Sequence, residues 1–386
     1  VSSSAPRRGS ESDSPLPPLL RWSGPLLAAG YGMGARLHRA LSSPRLPPLA
    51  AICVGNLTAG GTGKTPAVKY LARGLAQRGR KPAVLMRGYK GQGSDEAVEM
   101  ESALAGIKAP VLLGADRFAS AERARALKCD TVLLDDGFQH WRLARDLDIV
   151  LIDASDPFGG ERLLPHGRLR EMPAALARAG AIIITRADLL KGEALQALTK
   201  RISGYAPNAV VAAARHAPLR LIKVGHIFLS ASGMNEQTGM SAPPSKGSAP
   251  PIGMSDSPIG MSDSPIGISA PLLPASALKG QKVVGACGVG NPEAFRRTLE
   301  GLGAEIADFI SFPDHHVYTE SEKQALQNRA AKAGAMLVVT EKDAPKLQSL
   351  KECRVLQIAF EFISGEEEIW RCIDAALKQG DKRKTG

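Results

Sequence analysis

The chain has 386 residues, 44% of them apolar and 4% aromatic, with 49 Lys and Arg against 38 Asp and Glu for a net charge of +11. That length accommodates two or three domains and the apolar share supplies a full core. The positive balance favours anionic partners, and the sparse aromatics, with no recognition motif beside them, argue against a nucleic-acid surface.

Residues 1–17 are Ser/Pro-rich without an apolar core, so they read as a disordered tail and not as a secretory signal. Residues 18–48 form the next unit. From Ser14 to Val54 there is no acidic residue, while Arg21, Arg36, Arg39 and Arg45 are basic. The uncharged run Trp22–Ala35 is shorter than the roughly 20 residues a bilayer requires. Its aromatic and apolar residues between arginines suit an amphipathic helix on an anionic membrane surface. An ordinary helix packed on the domain is the other reading.

The most informative stretch is Gly55-Asn56-Leu57-Thr58-Ala59-Gly60-Gly61-Thr62-Gly63-Lys64-Thr65-Pro66. An apolar run, Leu49–Val54, predicts a buried strand before it, and apolar residues at helical spacing over 67–75 predict a helix after it. Strand, glycine loop, Lys-Thr and helix are what a phosphate-binding loop needs, since glycines let backbone N–H groups wrap an anion at a helix N-terminus. The residues expected to hold phosphate are Thr58, Ala59, Gly60, Gly61, Thr62, Gly63, Lys64 and Thr65, with the Thr65 hydroxyl on Mg²⁺. The strict pattern has Gly where Thr58 stands, and Gly60 and Gly61 are expected to supply the flexibility instead. A glycine-rich turn with a chance Lys-Thr is the competing reading.

Further strands are predicted at 81–86, 131–135, 149–153 and 181–185. Short apolar runs without alternation mean strands buried on both faces, hence an α/β architecture: a P-loop NTPase-like parallel sheet sandwiched by helices over 49–229. The strand at 131–135 ends in Asp135-Asp136, adjacent carboxylates that repel unless a cation sits between them, so both are candidate Mg²⁺ ligands. His140 follows at the ligand edge of the sheet, where it is either structural or part of the nucleotide site. Gly93-Ser94-Asp95-Glu96-Ala97 has the form of a helix N-cap. Thr185-Arg186-Ala187-Asp188 resembles a guanine-reading element but departs from it, and GTP is not assigned.

Residues 230–276 break the pattern: Pro-Ile-Gly-Met-Ser-Asp-Ser occurs at 251–257 and again at 258–264, the mark of a flexible repeat insertion. Strands at 281–287, 335–340 and 355–359, with a helix at 292–302 capped by Asn291 and ended by Gly303, predict a second, smaller α/β domain over 277–378. Its Asp314-His315-His316 lacks the spacing of a metal site, leaving either action on a substrate hydroxyl or a hydrogen-bonded surface loop. The basic stretch 379–386 reads as a frayed tail. The five cysteines (53, 129, 287, 353 and 372) are scattered and never form C-x-x-C, which fits a reducing compartment. From these residues alone, a regulatory or metallochaperone-type P-loop ATPase is an alternative to a kinase, as is a structural membrane-surface protein that holds ATP.

Taken together, the elements resemble the tetraacyldisaccharide 4′-kinase family of lipid A biosynthesis. The resemblance is carried by Val54–Pro66, Arg87-Gly88-Tyr89, Asp135–His140, Arg162-Leu163-Leu164-Pro165, Leu169-Arg170-Glu171, Gly288–Pro292, Phe312–His316 and Thr340-Glu341-Lys342-Asp343, in order along about 20–225 and 278–360. Arg168 stands where the family usually has Pro, and Met172 where it commonly has Glu. The resemblance implies transfer of the ATP γ-phosphate to the 4′-hydroxyl of a tetraacylated disaccharide 1-phosphate, on the cytoplasmic face of the bacterial inner membrane, with ATP and Mg²⁺ as cofactors. The partners it implies are the acylated disaccharide phosphate lipid and the membrane surface, and residues 18–48 then read as the membrane-associated segment. It further implies Asp95 as catalytic base with His315 as its partner beside Asp314, Lys64 and Thr65 on phosphate and Mg²⁺, Asp135 and Asp136 in the metal network with His140 nearby, and Glu171 at the same site.

Overall fold

The computed structural model describes residues 24–88, 95–224, 272–314, 316–350 and 352–383, and for Arg36 and Asp95 the backbone alone. The expected tail at 1–17, the repeats at 251–271 and His315 lie outside the described residues.

Among the described residues, twelve strands make one sheet. They are β1 (Ala50–Asn56), β2 (Pro82–Met86), β3 (Val111–Leu113), β4 (Thr131–Asp135), β5 (Leu147–Asp153), β6 (Ala181–Thr185), β7 (Val210–Lys223), β8 (Leu273–Pro274), β9 (Lys282–Cys287), β10 (Glu305–Ser311), β11 (Met336–Thr340) and β12 (Cys353–Ser364). The order is β10-β9-β11-β12-β7-β6-β5-β1-β4-β2-β3, with β8 beside β7. Every residue of β1, β2, β4 and β6 is buried, as their unbroken apolar runs require of strands covered on both faces.

The first half is the expected parallel sheet, and the sheet as a whole is mixed. Parallel pairing holds from β3 to β7 and again from β10 to β12, but β7 and β12 pair antiparallel, from Arg354↔Lys223 to Ser364↔Ala213. These two long strands join what the sequence presents as two α/β units into one continuous sheet. Leu273 and Pro274, expected to belong to the insertion, already pair with Leu221 and Arg220 of β7.

Helices cover both faces: α1 (Gly24–Ala40), α2 (Lys64–Gln77), α3 (Asp95–Leu104), α4 (Arg117–Ala126), α5 (Glu193–Tyr205), α6 (Pro292–Gly301), α7 (Glu320–Ala333) and α8 (Glu366–Lys382). Asn291 caps α6, its Oδ1 accepting from Ala294 N at 3.1 Å, and Gly303 follows in the left-handed region at φ +75. Helix α8 returns across the molecule to the first half. Its Ile369, Trp370, Ile373, Ala376 and Leu377 share a core with Ala50 and Ile52 of β1 and Val68 and Leu71 of α2. The segment expected to fray from 379 is therefore docked as far as Arg383. Gly380 lies flat on Ala50, where a Cβ would come within 2.5 Å of the Ala50 Cβ, and Arg383 pairs with Asp146 at 2.5 Å.

On α1, Gly24 rests against His166 and Gly32 against Leu163, so these small residues face the protein. Leu26, Met33 and Leu37 recur at helical spacing on the other side, 75%, 71% and 59% exposed. Among the described residues no helix is long and apolar enough to cross a membrane.

Candidate active site

The site forms at the carboxyl edge of the central strands. Parallel pairing sets Val54 of β1 opposite Asp135 of β4, so the loop leaving β1 and the turn leaving β4 emerge side by side. Gly55 is required here, because a Cβ on it would lie 2.6 Å from the Phe138 Cβ in that neighbouring turn.

The loop then runs into α2, which begins at Lys64 with Gly63 as its N-cap at φ +83. Gly60 is likewise left-handed, at φ +115, whereas Thr58 is absent from the left-handed positions, which is why it replaces the glycine of the strict pattern without strain. The loop is strapped from two sides. Arg168 donates to the Ala59 carbonyl at 3.1 and 3.0 Å and pairs with Asp156 at 3.0 Å, so the residue that departs from the family pattern here holds the loop. On the other side Thr185 Oγ1 donates to the Thr62 carbonyl at 2.9 Å and Arg186 to the Gly61 carbonyl at 3.3 Å.

Lys64 is the junction. Its Nζ donates to Asn56 Oδ1 at 3.2 Å and lies 3.6 Å from Asp136. Asp136 takes Arg170 Nη1 on both carboxylate oxygens, at 2.9 and 2.8 Å. Burial would raise the Asp136 pKa, but Lys64 and Arg170 outweigh it and hold the carboxyl below its ordinary range. Its neighbour behaves oppositely. Asp135 is buried, its Oδ1 has no hydrogen-bond partner among the described residues, and burial pushes its pKa up to about 6 against the pull of Lys64. A buried carboxylate oxygen left unpartnered beside a second carboxylate fits a divalent cation, and Thr65, which follows Lys64 in the first turn of α2, carries a hydroxyl of the kind that joins such a site. Among the described residues no three His, Cys, Asp or Glu cluster into a complete metal site.

Glu171 joins from behind, accepting from Gln139 Nε2 at 3.1 Å and Arg178 at 3.0 Å, while Gln139 Nε2 also donates to the Asn56 carbonyl at 3.0 Å. His140 lines the cleft beside Arg117. Burial first, then Arg117, Arg145 and Arg87, lower its pKa to about 4, so it is neutral at physiological pH. Arg117 is itself buried, which lowers its pKa to about 10 despite Asp135 and Asp136 nearby, and it donates to the Asp135 carbonyl at 3.3 Å.

Asp95 opens α3, and its side chain lies outside the described residues, as does all of His315. Their neighbours are brought together. Lys342 Nζ holds Asp314 Oδ1 at 2.7 Å and stands 4.0 Å from Glu96, which lines the same cleft as Asp135 and Asp136. His316 is engaged elsewhere, with Glu322 at 3.1 Å and stacked on Phe312. Sequence reasoning did not single out Arg117, Glu96, Lys342, Gln139 or Asn56 individually. Asn56, Glu96, Gln139 and Lys342 fall inside stretches quoted above, but Arg117 carries no signal beyond following the α4 cap Asp116, whose Oδ1 accepts from Phe118 N at 2.9 Å.

The resulting cleft has a volume of about 910 Å³. It runs from Asp135 and Asp136 past Arg87, Arg117, Arg142 and Arg45 to Tyr31 and His38 of α1. One end therefore carries the paired carboxylates, which Lys64 joins to the phosphate loop, and the other is a basic wall reaching the helix with the exposed apolar stripe.

The chain matches the family model for tetraacyldisaccharide-1-P 4′-kinase over residues 20–378. It is 35% identical to the tetraacyldisaccharide 4′-kinase of Anaeromyxobacter sp. (strain Fw109-5), over 95% of this chain and 93% of that protein. It is 37% identical to that of Syntrophus aciditrophicus, over 79% of this chain and 77% of that protein. In fold it is similar to LpxK from Aquifex aeolicus, crystallised in complex with ATP, with a TM-score of 0.64 at 24% identity across 93% of this chain and 99% of that one. With the family model covering most of its length and relatives above 30% identity along it, the chain belongs to the tetraacyldisaccharide-1-P 4′-kinase family.

Proposed function

We propose that the protein transfers the γ-phosphate of ATP to the 4′-hydroxyl of a tetraacyldisaccharide 1-phosphate while lying on the cytoplasmic face of the inner membrane. The observation that carries the reading is the Lys64–Asp136 contact at 3.6 Å, which joins the phosphate loop to the tandem aspartates at the head of an arginine-lined cleft. Bound Mg-ATP supplies the phosphoryl group, and the remaining work falls to the chain's own residues. Loop amides 58–65 and Lys64 offset phosphate charge, and Thr65, Asp135 and Asp136 would hold the Mg²⁺, with Glu171 orienting this side through Gln139. Arg87, Arg117 and Arg142 suit an anionic sugar phosphate.

A sugar hydroxyl is a poor nucleophile at neutral pH, and Asp95 is assigned to accept its proton, with His315 and Asp314 beside it. Support for this pairing is the Lys342 bridge between Asp314 and Glu96, which brings the loop at 314 to the start of α3. The cleft's second end disfavours a simple ATPase, because a hydrolase has no use for a basic wall leading to an apolar helix. The decisive assay uses Mg-ATP labelled on the γ-phosphate and the lipid disaccharide 1-phosphate in detergent. Label in the lipid supports the kinase, and label in free phosphate alone refutes it.

The stripe on α1 is assigned to the membrane surface. Burying one Leu or Met side chain stabilises by roughly 1.5–3 kcal/mol. Leu26→Ser, Met33→Ser and Leu37→Ser together should therefore lower partitioning onto anionic vesicles by at least about 10²-fold. The thermal midpoint should stay near the parent value, since all three side chains face solvent. Undiminished co-sedimentation of the triple variant with vesicles would reassign the stripe.

A further inference from the structure

Two buried polar atoms on the far flank of the phosphate loop have no hydrogen-bond partner among the described residues: Thr62 Oγ1 and His216 Nε2. Buried groups of this kind are rare in native proteins and call for an explanation such as a ligand. His216 sits on β7 past the last residue paired with β6, so it stands at the carboxyl edge of the sheet. Ala212 and Ala214, four and two residues earlier, belong to the core beneath α2, and strand alternation sets His216 on that same face. There its ring lies directly on the loop. A Cβ on Gly63 would come 2.3 Å from its Cε1 and 2.5 Å from its Nε2. The imidazole is also neutral, because burial first and Arg186 second lower its pKa to about 4, with Asp153 opposing. A neutral ring with a sealed, unpartnered nitrogen is a hydrogen-bonding group held ready at fixed geometry.

The layout of the sheet says which part of a nucleotide would meet it. Asp135 and Asp136 lie at the end of β4, on one side of β1, and the arginine-lined cleft opens on that side. The reacting phosphate must point there. The rest of the molecule must then leave across the other side of β1, over β5, β6 and β7. Thr185 and Arg186 already fix the loop on this flank by binding the carbonyls of Thr62 and Gly61, so those contacts are spent and the two unpartnered atoms remain.

We propose that His216, with Thr62, binds the nucleoside half of the nucleotide, His216 Nε2–H donating to a ribose oxygen, and so anchors ATP at the end opposite the transferred phosphate. The inference rests on the phosphate-loop reading above, and its test separates the two. Dissociation constants for Mg-ATP and for Mg-tripolyphosphate, which has no nucleoside, are measured directly by calorimetry on the full chain. His216→Phe keeps a flat ring against Phe360 and Gly63 and removes only the nitrogens, without loss of charge. It should weaken Mg-ATP about tenfold and leave Mg-tripolyphosphate within twofold. His216→Gln, which returns an amide to the Nε2 position, should recover most of the loss, and Thr62→Val should weaken ATP selectively as well. Equal weakening of both ligands by His216→Phe, or Phe and Gln variants that bind alike, would make His216 a prop for the loop and overturn the proposal. Lys64→Ala serves as the control. If it binds both ligands as the parent does, the phosphate-loop reading itself fails. If it loses both while His216→Phe binds ATP normally, only the nucleoside assignment fails.

Discussion

Lys64→Ala should lower phosphoryl transfer on the order of 10³-fold, the scale seen when one preorganised charge facing a transition state is removed. The effect should fall on kcat as well as on nucleotide affinity, because charge on the transferring phosphoryl oxygens develops beside Lys64. The fold should survive. Asp136 keeps Arg170 on both oxygens, so losing the ammonium 3.6 Å away does not strand a buried carboxylate. Lys64→Arg should fail nearly as badly. The slot between Asn56 Oδ1 and Asp136 accepts a compact ammonium, and a planar guanidinium fork is wider and rigid. Steady-state kinetics beside a thermal melt checks all of this. Near-parental turnover in a folded Lys64→Ala protein would remove the loop from the chemistry.

The chemistry-bearing elements were legible because they are local. The loop at 55–66 and the acids at 135–136 each sit within one strand-turn unit, and unbroken apolar runs announce β1, β2, β4, β5 and β6. What joins those units was not legible. Strand β7 opens on the apolar residues Val210–Ala214 but then carries Arg215, His216 and Arg220, because its far half is paired with β12 over a separation of more than a hundred residues and is only partly buried. No pattern within β7 reveals a partner that distant. The same holds for α8. Its apolar face is visible in the sequence, but nothing local says that it packs back on β1 in the first half. Arg117 illustrates the remaining gap. A lone arginine after a helix cap is ordinary on the surface, and only the fold turns it inward against the Asp135 backbone. His216 escaped notice for the same reason: it lies more than 150 residues from the loop it touches.

Asp135→Asn should abolish transfer and, without metal or nucleotide, alter how stability depends on pH. The native Asp135 carboxyl has its pKa raised to about 6 from 3.8 by burial, so between those values the native state holds a proton that the unfolded chain has released. The stability this proton contributes is fully present below pH 3.8 and is lost as pH rises through about 6. A shift of that size corresponds to about 3 kcal/mol. His140 and His216 act in the opposite sense. Their folded pKa values are lowered to about 4 from 6.5, so their contribution is gained as pH rises over much of the same range. The parent curve alone mixes these terms, and the difference between parent and Asp135→Asn isolates Asp135. That difference should move in the variant's favour from pH 4 to pH 8, by up to about 3 kcal/mol. Saturating Mg-ATP should abolish the gain by stabilising the ionised carboxylate in the parent. Denaturation midpoints of both proteins at the two pH values, with and without Mg-ATP, make the comparison. Parallel stability curves for parent and variant would mean that Asp135 is already satisfied, and the case for a cation between the tandem aspartates would lose its strongest physical support.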